Sequence, residues 1–151
     1  MNLVRKKLLI VGDSAFAEIA CRYFERENKY ELVGFAVEKD YLKKDQLLGK
    51  PIYELEKIEK LFPPNTVTLF VAITYAKLNR LRTRIYKDLK TKGYKFANYI
   101  SPYSYVDKET EIGENVFIFE NNTVQPFVKI KNNTILWSGN HIGHHSIINE
   151  N

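Results

Sequence analysis

Three histidines fall within five positions, in the stretch Asn140-His141-Ile142-Gly143-His144-His145. Imidazole ligates metals, moves protons near neutral pH, or simply packs, so spacing has to decide between these roles. A zinc site needs side chains that converge on one point. His-x-x-His-His, on a short strand and the corner after it, scatters them, and the lone cysteine, Cys21, is distant in sequence. No metal is therefore expected. His141 sits at an outward strand position, where surface or interface packing is the plainer role. His144 and His145 sit at the corner, where an outward neutral imidazole has the chemistry of a general base.

A second set of candidates lies near the start. The apolar run of residues 7–11 ends in Gly12-Asp13-Ser14-Ala15-Phe16. One glycine is too few for a dinucleotide fingerprint, which argues against an NAD-dependent role. Ser14 and the following helix N-terminus offer hydrogen bonds to a phosphate, and Asp13 repels one; equally, Asp13 or Ser14 only caps the helix. Glu38-Lys39 and Thr74-Tyr75 end the second and third apolar runs, where parallel α/β sheets place their ligands. Tyr75 is positioned either to stack on a base or to pack.

The elements that position these residues follow from periodicity. Residues 7–13, 30–38, 66–73 and 94–100 read as strands. Between them, Phe16, Ile19, Ala20, Tyr23 and Phe24 recur at helical spacing. Leu55, Ile58 and Phe62 mark a helix over 53–62 that Pro63-Pro64 ends, and Leu78, Leu81, Ile85 and Leu89 mark one from Ala76 to Lys92. Alternating strands and helices predict an α/β unit with a small, mostly parallel, Rossmann-like sheet over residues 1–100.

Beyond Ser101-Pro102 the period changes to six. Val106, Ile112, Ile118, Val124, Ile130, Leu136, Ile142 and Ile148 occupy the third place of eight successive blocks. Neither a helix of 3.6 residues per turn nor a plain alternating strand produces that spacing. Glu114-Asn115, Glu120-Asn121, Asn132-Asn133 and Ser138-Gly139 close their blocks with residues that tolerate tight or left-handed corners. Residues 101–151 are thus expected to form a hexapeptide β-helix with three walls. Val106, Val124 and Ile142 line one wall, Ile112, Ile130 and Ile148 the second, and Ile118 and Leu136 the third. Residues flanking these point outward. Phe117, Phe119, Ile135 and Trp137 make the third wall apolar outside, so it is expected to pack on a neighbouring subunit or the first unit. Glu111, Lys129 and Lys131 make the second wall polar.

Composition narrows the classes. The 151 residues carry a net charge of +5. Residues 1–100 hold 20 Lys/Arg against 12 Asp/Glu, and residues 101–151 hold 3 against 6, leaving +8 and −3, which fits two distinct units. Lys77, Arg80, Arg82, Arg84, Lys87, Lys90 and Lys92 spread around their helix instead of forming one stripe, so nucleic-acid binding is not expected. No run approaches the ~18 apolar residues of a membrane span. The apolar run near the start turns directly into a glycine turn without a small-residue cleavage site. With one cysteine and no internal disulfide, a cytoplasmic protein is expected.

Taken together, "LLIVGDSAFAEIA", "VAITYAKLNRLRTRIYKDLKTKGYKFANYISP", "EIGENVFIFENNTVQPFVKI" and "NHIGHHSIINEN" resemble the bacterial nucleotide-sugar acetyltransferases. That group includes the UDP-4-amino-sugar N-acetyltransferases and the sialic acid O-acetyltransferases. The resemblance implies a Rossmann-like nucleotide-sugar-binding domain followed by a left-handed parallel β-helix. It also implies a homotrimer acting in polysaccharide or glycan biosynthesis, acetyl-CoA as co-substrate, and His144 as the catalytic base, with direct transfer of acetyl to the sugar. His141 and His145 become supporting candidates, and Gly12, Asp13, Ser14, Ala15, Phe16, Glu38, Lys39, Thr74 and Tyr75 the substrate-binding ones. Three departures stand out. The family's Gly-x-Gly-Gly-His-Gly loop is reduced to Gly12. His145 stands where an acidic residue often orients the base, leaving that partner unidentified. The family carries several more coils, which supply most of the acetyl-CoA contacts, so the donor site is expected to be incomplete. The alternative to an acetyltransferase is then a non-catalytic nucleotide-sugar-binding module.

Overall fold

The computed structural model describes residues 5–75 and 77–151. Met1–Val4 and the expected helix start at Ala76 lie outside the described residues. The chain forms two compact units, Met1–Phe96 and Ala97–Asn151.

The first unit is built on six strands: β1 (Lys6–Val11), β2 (Tyr30–Val37), β3 (Gln46–Leu47), β4 (Lys50–Glu54), β5 (Thr68–Val71) and β6 (Lys95–Phe96). Their order is β3-β4-β2-β1-β5-β6. All pairings are parallel except β3 with β4. The expected parallel α/β sheet is therefore present with an antiparallel edge added. Leu8, Leu9, Ile10 and Val11 are buried, as a strand covered on both faces requires. Helix α1 (Ala15–Glu27) buries Phe16, Ala17, Ala20, Cys21 and Phe24 on one face. The Phe16 and Phe24 rings meet Phe70 of β5 edge-on, at 6.1 and 5.3 Å. Burying a phenylalanine of this kind stabilises by roughly 1.5–3 kcal/mol. Asn28, left-handed at φ 56°, ends the helix and donates its N–H to the carbonyls of Phe24 and Glu25.

Three expected elements differ in extent. The helix over 53–62 shrinks to a 3-10 turn at Leu55–Lys57 and one α-turn, α2 (Ile58–Leu61). Tyr53 and Glu54 instead continue β4, paired with Ala36 and Val37 of β2. Pairing with β2 overrides the helix propensity of the Glu, Leu and Lys residues here, which is a weak preference that tertiary context routinely outweighs. The third helix, α3 (Arg80–Thr91), begins later than expected. Lys77, Leu78 and Asn79 all take positive φ, and Leu78 is 84% exposed instead of joining the stripe of Ile85 and Leu89. Finally, residues 94–100 do not make one strand. Lys95–Phe96 pair with β5, whereas Tyr99–Ile100 form β7, which belongs to the second unit.

In the second unit the period of six is realised as strand pairs. β7 (Tyr99–Ile100), β10 (Phe117–Ile118) and β13 (Ile135–Leu136) stack in one parallel wall. β8 (Tyr105–Val106), β11 (Thr123–Val124) and β14 (His141–Ile142) make another. β9 (Glu111–Ile112), β12 (Lys129–Ile130) and β15 (Ile147–Ile148) make the third. The walls and registers match those expected from the sequence, and the geometry fits a left-handed β-helix. Ile100 stands six residues before Val106 and packs against the same core, so the repeat begins one block earlier than Ser104.

The corners carry the period just as strictly. Asn115, Asn121, Phe127, Asn133, Gly139, His145 and Asn151 all adopt positive φ, one in every six residues. Asparagine and glycine tolerate this region, histidine less often, and phenylalanine rarely. Side-chain ladders brace the turns. Asn115 Nδ2 donates to Asn133 Oδ1 at 2.7 Å, and Asn133 Nδ2 to Asn151 Oδ1 at 2.7 Å. Asn140 likewise donates to Asn122 Oδ1 through its backbone N–H at 3.0 Å and its side chain at 2.9 Å.

On the wall of β7, β10 and β13, Tyr99 stacks on Phe117, and Phe119 lies nearly parallel to Trp137 with centroids 4.7 Å apart. Phe117 and Phe119 are buried, while Trp137 keeps 46% of its surface exposed. The wall of β9, β12 and β15 is polar outside, with Lys129 Nζ 3.1 Å from Glu111 Oε1.

Candidate functional site

The first candidate site is a cleft of about 220 Å³ at the carboxyl ends of β1, β2 and β5. With β2 and β5 on either side of β1, strand order reverses there, which is where open α/β sheets take ligands. Its floor is apolar, from Val11, Ala36, Val37, Leu55, Ile73 and Ile85, and its polar groups are those of Gly12, Asp13, Ser14, Glu38, Tyr41 and Thr74. Gly12 is held at φ 121°, and a Cβ there would come within 2.7 Å of the Ala72 carbonyl oxygen. Glycine is thus required by both backbone angle and space. Ser14 takes the N-cap position of α1 with extended backbone, and its hydroxyl makes no capping hydrogen bond.

Two ion pairs border the cleft. Arg84 Nη1 and Nη2 each donate to one oxygen of Glu38 at 2.9 Å, a bidentate fork that holds the guanidinium above its ordinary pKa. Lys44 Nζ lies 3.3 Å from the Asp13 carbonyl oxygen and 3.8 Å from its Oδ2. The repulsion Asp13 would exert on a phosphate is therefore offset by a cation that the residue pattern alone did not single out. Nearby, Arg82 is buried, which pushes its guanidinium down to about 10. It reaches the Ile73 carbonyl at 3.5 Å through Nη1, and its Nε finds no hydrogen-bond partner among the described residues.

Of the residues singled out in the sequence, Gly12, Asp13, Ser14, Glu38 and Thr74 come together in this cleft. Phe16 is in the core of the unit, Ala15 and Lys39 face outward, and Tyr75 projects with 76% of its surface exposed. The backbone N–H of Lys39 is engaged by the Glu56 carboxylate at 3.1 and 3.2 Å. Tyr41, Lys44 and Arg84 were missed. They come from a loop and a helix face whose approach to the strand ends has no local signature.

The second candidate site is the corner between β14 and β15. His144 and His145 are both exposed there. The backbone N–H of His144 donates to Gln125 Oε1 at 2.9 Å, fixing the corner onto the coil beneath. His144 Nδ1 and His145 Nδ1 are 3.0 Å apart, with the two rings nearly perpendicular at 89°. The His145 ring also packs on Phe127, centroids 4.8 Å apart and planes tilted by 43°, so the two positive-φ residues of successive coils are in contact. His141 lies on β14 opposite Thr123, exposed and outside this pair. The arrangement presents a fixed imidazole to solvent, suited to accepting a proton. Among the described residues no group of three or more His, Cys, Asp or Glu side chains gathers to hold a metal ion, and no helix is long and apolar enough to cross a membrane.

Comparison with known proteins agrees with this architecture. Residues 109–144 match the family model described as bacterial transferase hexapeptide (six repeats). No curated protein sequence is matched. Among solved structures, the acetyltransferase domain of PglB from Neisseria gonorrhoeae FA1090 superposes with a TM-score of 0.80 at 19% identity, over 95% of this chain and 67% of that one. The same domain in complex with acetyl coenzyme A gives 0.79 at 18% identity, over 95% and 67%. PerB from Caulobacter crescentus, in complex with CoA and GDP-perosamine, gives 0.78 at 20% identity, over 95% and 66%. The chain therefore spans about two-thirds of the length of these proteins and has their fold.

Proposed function

We propose that the chain is an acetyl-CoA-dependent acetyltransferase acting on a nucleotide-linked amino sugar, in surface polysaccharide or glycan biosynthesis. The observation that carries this reading is His144, an exposed imidazole whose backbone is pinned at a corner of a hexapeptide β-helix. In this reading residues 1–100 bind the sugar nucleotide and residues 101–151 build the transfer site. Gly12, Ser14 and the N-terminus of α1 receive the phosphates, with Lys44 supplying charge, while the apolar cleft floor holds the nucleoside. Glu38 and Thr74 border that site. The protein works in the cytoplasm as a homotrimer, with the apolar wall carrying Trp137 buried against a neighbour.

Acetyl-CoA fits as donor because the step asks of the protein what an exposed, fixed imidazole offers. The acceptor amine or hydroxyl attacks the thioester carbonyl while His144 Nε2 takes its proton. A new bond from carbon to nitrogen or oxygen forms as the carbon–sulfur bond breaks. The departing thiolate then recovers the proton from the imidazolium, so no charge is left on the protein.

The test is calorimetric titration with acetyl-CoA and, separately, with UDP- and dTDP-amino sugars, followed by thiol-release assays of His144→Ala. Binding of both ligands, with kcat about 100-fold or more lower in the variant, is expected. Sugar-nucleotide binding without acetyl-CoA binding would replace transfer with a non-catalytic binding module.

A further inference from the structure

The contact between the two corner imidazoles restricts how their protons are arranged. Two nitrogens 3.0 Å apart can share only one hydrogen, so one Nδ1 donates and the other accepts. If His144 donates, its Nδ1 carries the hydrogen and its Nε2 keeps a lone pair, the form a general base requires. His145 must then have its lone pair at Nδ1 and its hydrogen at Nε2. If His145 donates, the roles reverse, and His144 presents an N–H where a base is needed.

We infer that His145 is the positioning residue of His144, accepting its Nδ1–H and holding it in the tautomer whose Nε2 is free to take a proton. This inference rests on the proposed role of His144 as base. It supplies the orienting acceptor that an acidic side chain would otherwise provide. Three features adapt His145 to the task. It sits at the corner with a left-handed φ of 62°, its Nδ1 3.0 Å from that of its neighbour. Phe127 packs on its ring and limits rotation. Gln125 holds the His144 backbone, so the two rings meet from fixed anchors. A neutral acceptor also leaves the corner without the negative charge a carboxylate would bring to a site meant to receive anionic substrates.

Long-range proton–nitrogen correlation spectra of the histidine-labelled protein test this directly, with three histidines to assign by single His→Gln variants. At a pH where both rings are neutral, His144 should show Nδ1–H and His145 Nε2–H. Two variants that both tolerate positive φ separate the hydrogen bond from the backbone turn. In His145→Asn, Oδ1 falls close to the position of Nδ1 and should preserve the His144 tautomer. In His145→Gly no acceptor remains, and His144 should shift toward Nε2–H. In acetyl-transfer assays kcat should fall about tenfold to a hundredfold in His145→Gly with KM little changed, and recover in part in His145→Asn. Nε2–H on His144 in the unaltered protein, or an unchanged His144 tautomer in His145→Gly, would overturn the inference. The expected tautomers together with no acetyl transfer would support the pairing and refute the proposed activity alone.

Discussion

Asn133 offers a sharp test of what holds the β-helix together. It is buried at a corner with φ 61°, accepts from Asn115 Nδ2, and donates to Asn151 Oδ1, both at 2.7 Å. Replacing it with glycine keeps the backbone at ease and removes both side-chain bonds. A net intramolecular hydrogen bond is worth about 0.5–1.5 kcal/mol, and more when its partner is left in a buried site, so a loss of roughly 2–4 kcal/mol is expected. Alanine removes the same bonds and adds a Cβ in the left-handed region, for about 1 kcal/mol more. Urea unfolding followed by tryptophan fluorescence reads this cleanly, because the single tryptophan, Trp137, sits on the adjoining coil wall and stacks on Phe119. Asn133→Gly within about 0.5 kcal/mol of the unaltered protein would refute the ladder as a stabilising device. Asn133→Ala no worse than Asn133→Gly would refute the corner argument while leaving the ladder intact.

Gly12→Ala should destabilise the first unit by roughly 2–4 kcal/mol, since the added methyl would meet the Ala72 carbonyl at 2.7 Å from a backbone at φ 121°; an unchanged melting temperature would contradict this. Burial, followed by the nearby Glu25 charge, raises the Cys21 thiol to about 11. At pH 8 only about one molecule in a thousand carries the thiolate, so iodoacetamide should label the folded protein far more slowly than the urea-unfolded one. The same shift keeps the proton on the folded thiol between about pH 9 and 11, where an unfolded thiol loses it, so stability should fall with rising pH across that window. Trp137→Lys should lower the molar mass in solution if the apolar wall is a subunit interface, and a well-folded variant of unchanged molar mass would exclude that surface.

How much of this molecule its sequence determined depends on the range of the interactions involved. The β-helix was legible residue by residue because each coil repeats one local problem. An inward apolar side chain, two outward flanks and a corner recur every six residues, and stacking places each block on the one three before it. The walls therefore followed from counting, as did the positions of His141, His144 and His145. The first unit was legible in outline, since buried strands and amphipathic helices announce themselves by period. The segment at Tyr53-Glu54 was not, because a helical pattern fitted it as well as pairing with β2. Nor were Tyr99-Ile100, because the apolar run of residues 94–100 also fits one continuous strand of the first unit, although its end already follows the period of six. The sites divide in the same way. Gly12, Asp13, Ser14, Glu38 and Thr74 could be named from their place at strand ends. Lys44 beside Asp13, Arg84 forked onto Glu38, and the facing nitrogens of His144 and His145 are meetings of side chains. Such meetings depend on loop paths, rotamers and a positive φ at one histidine, which only the packed tertiary structure decides.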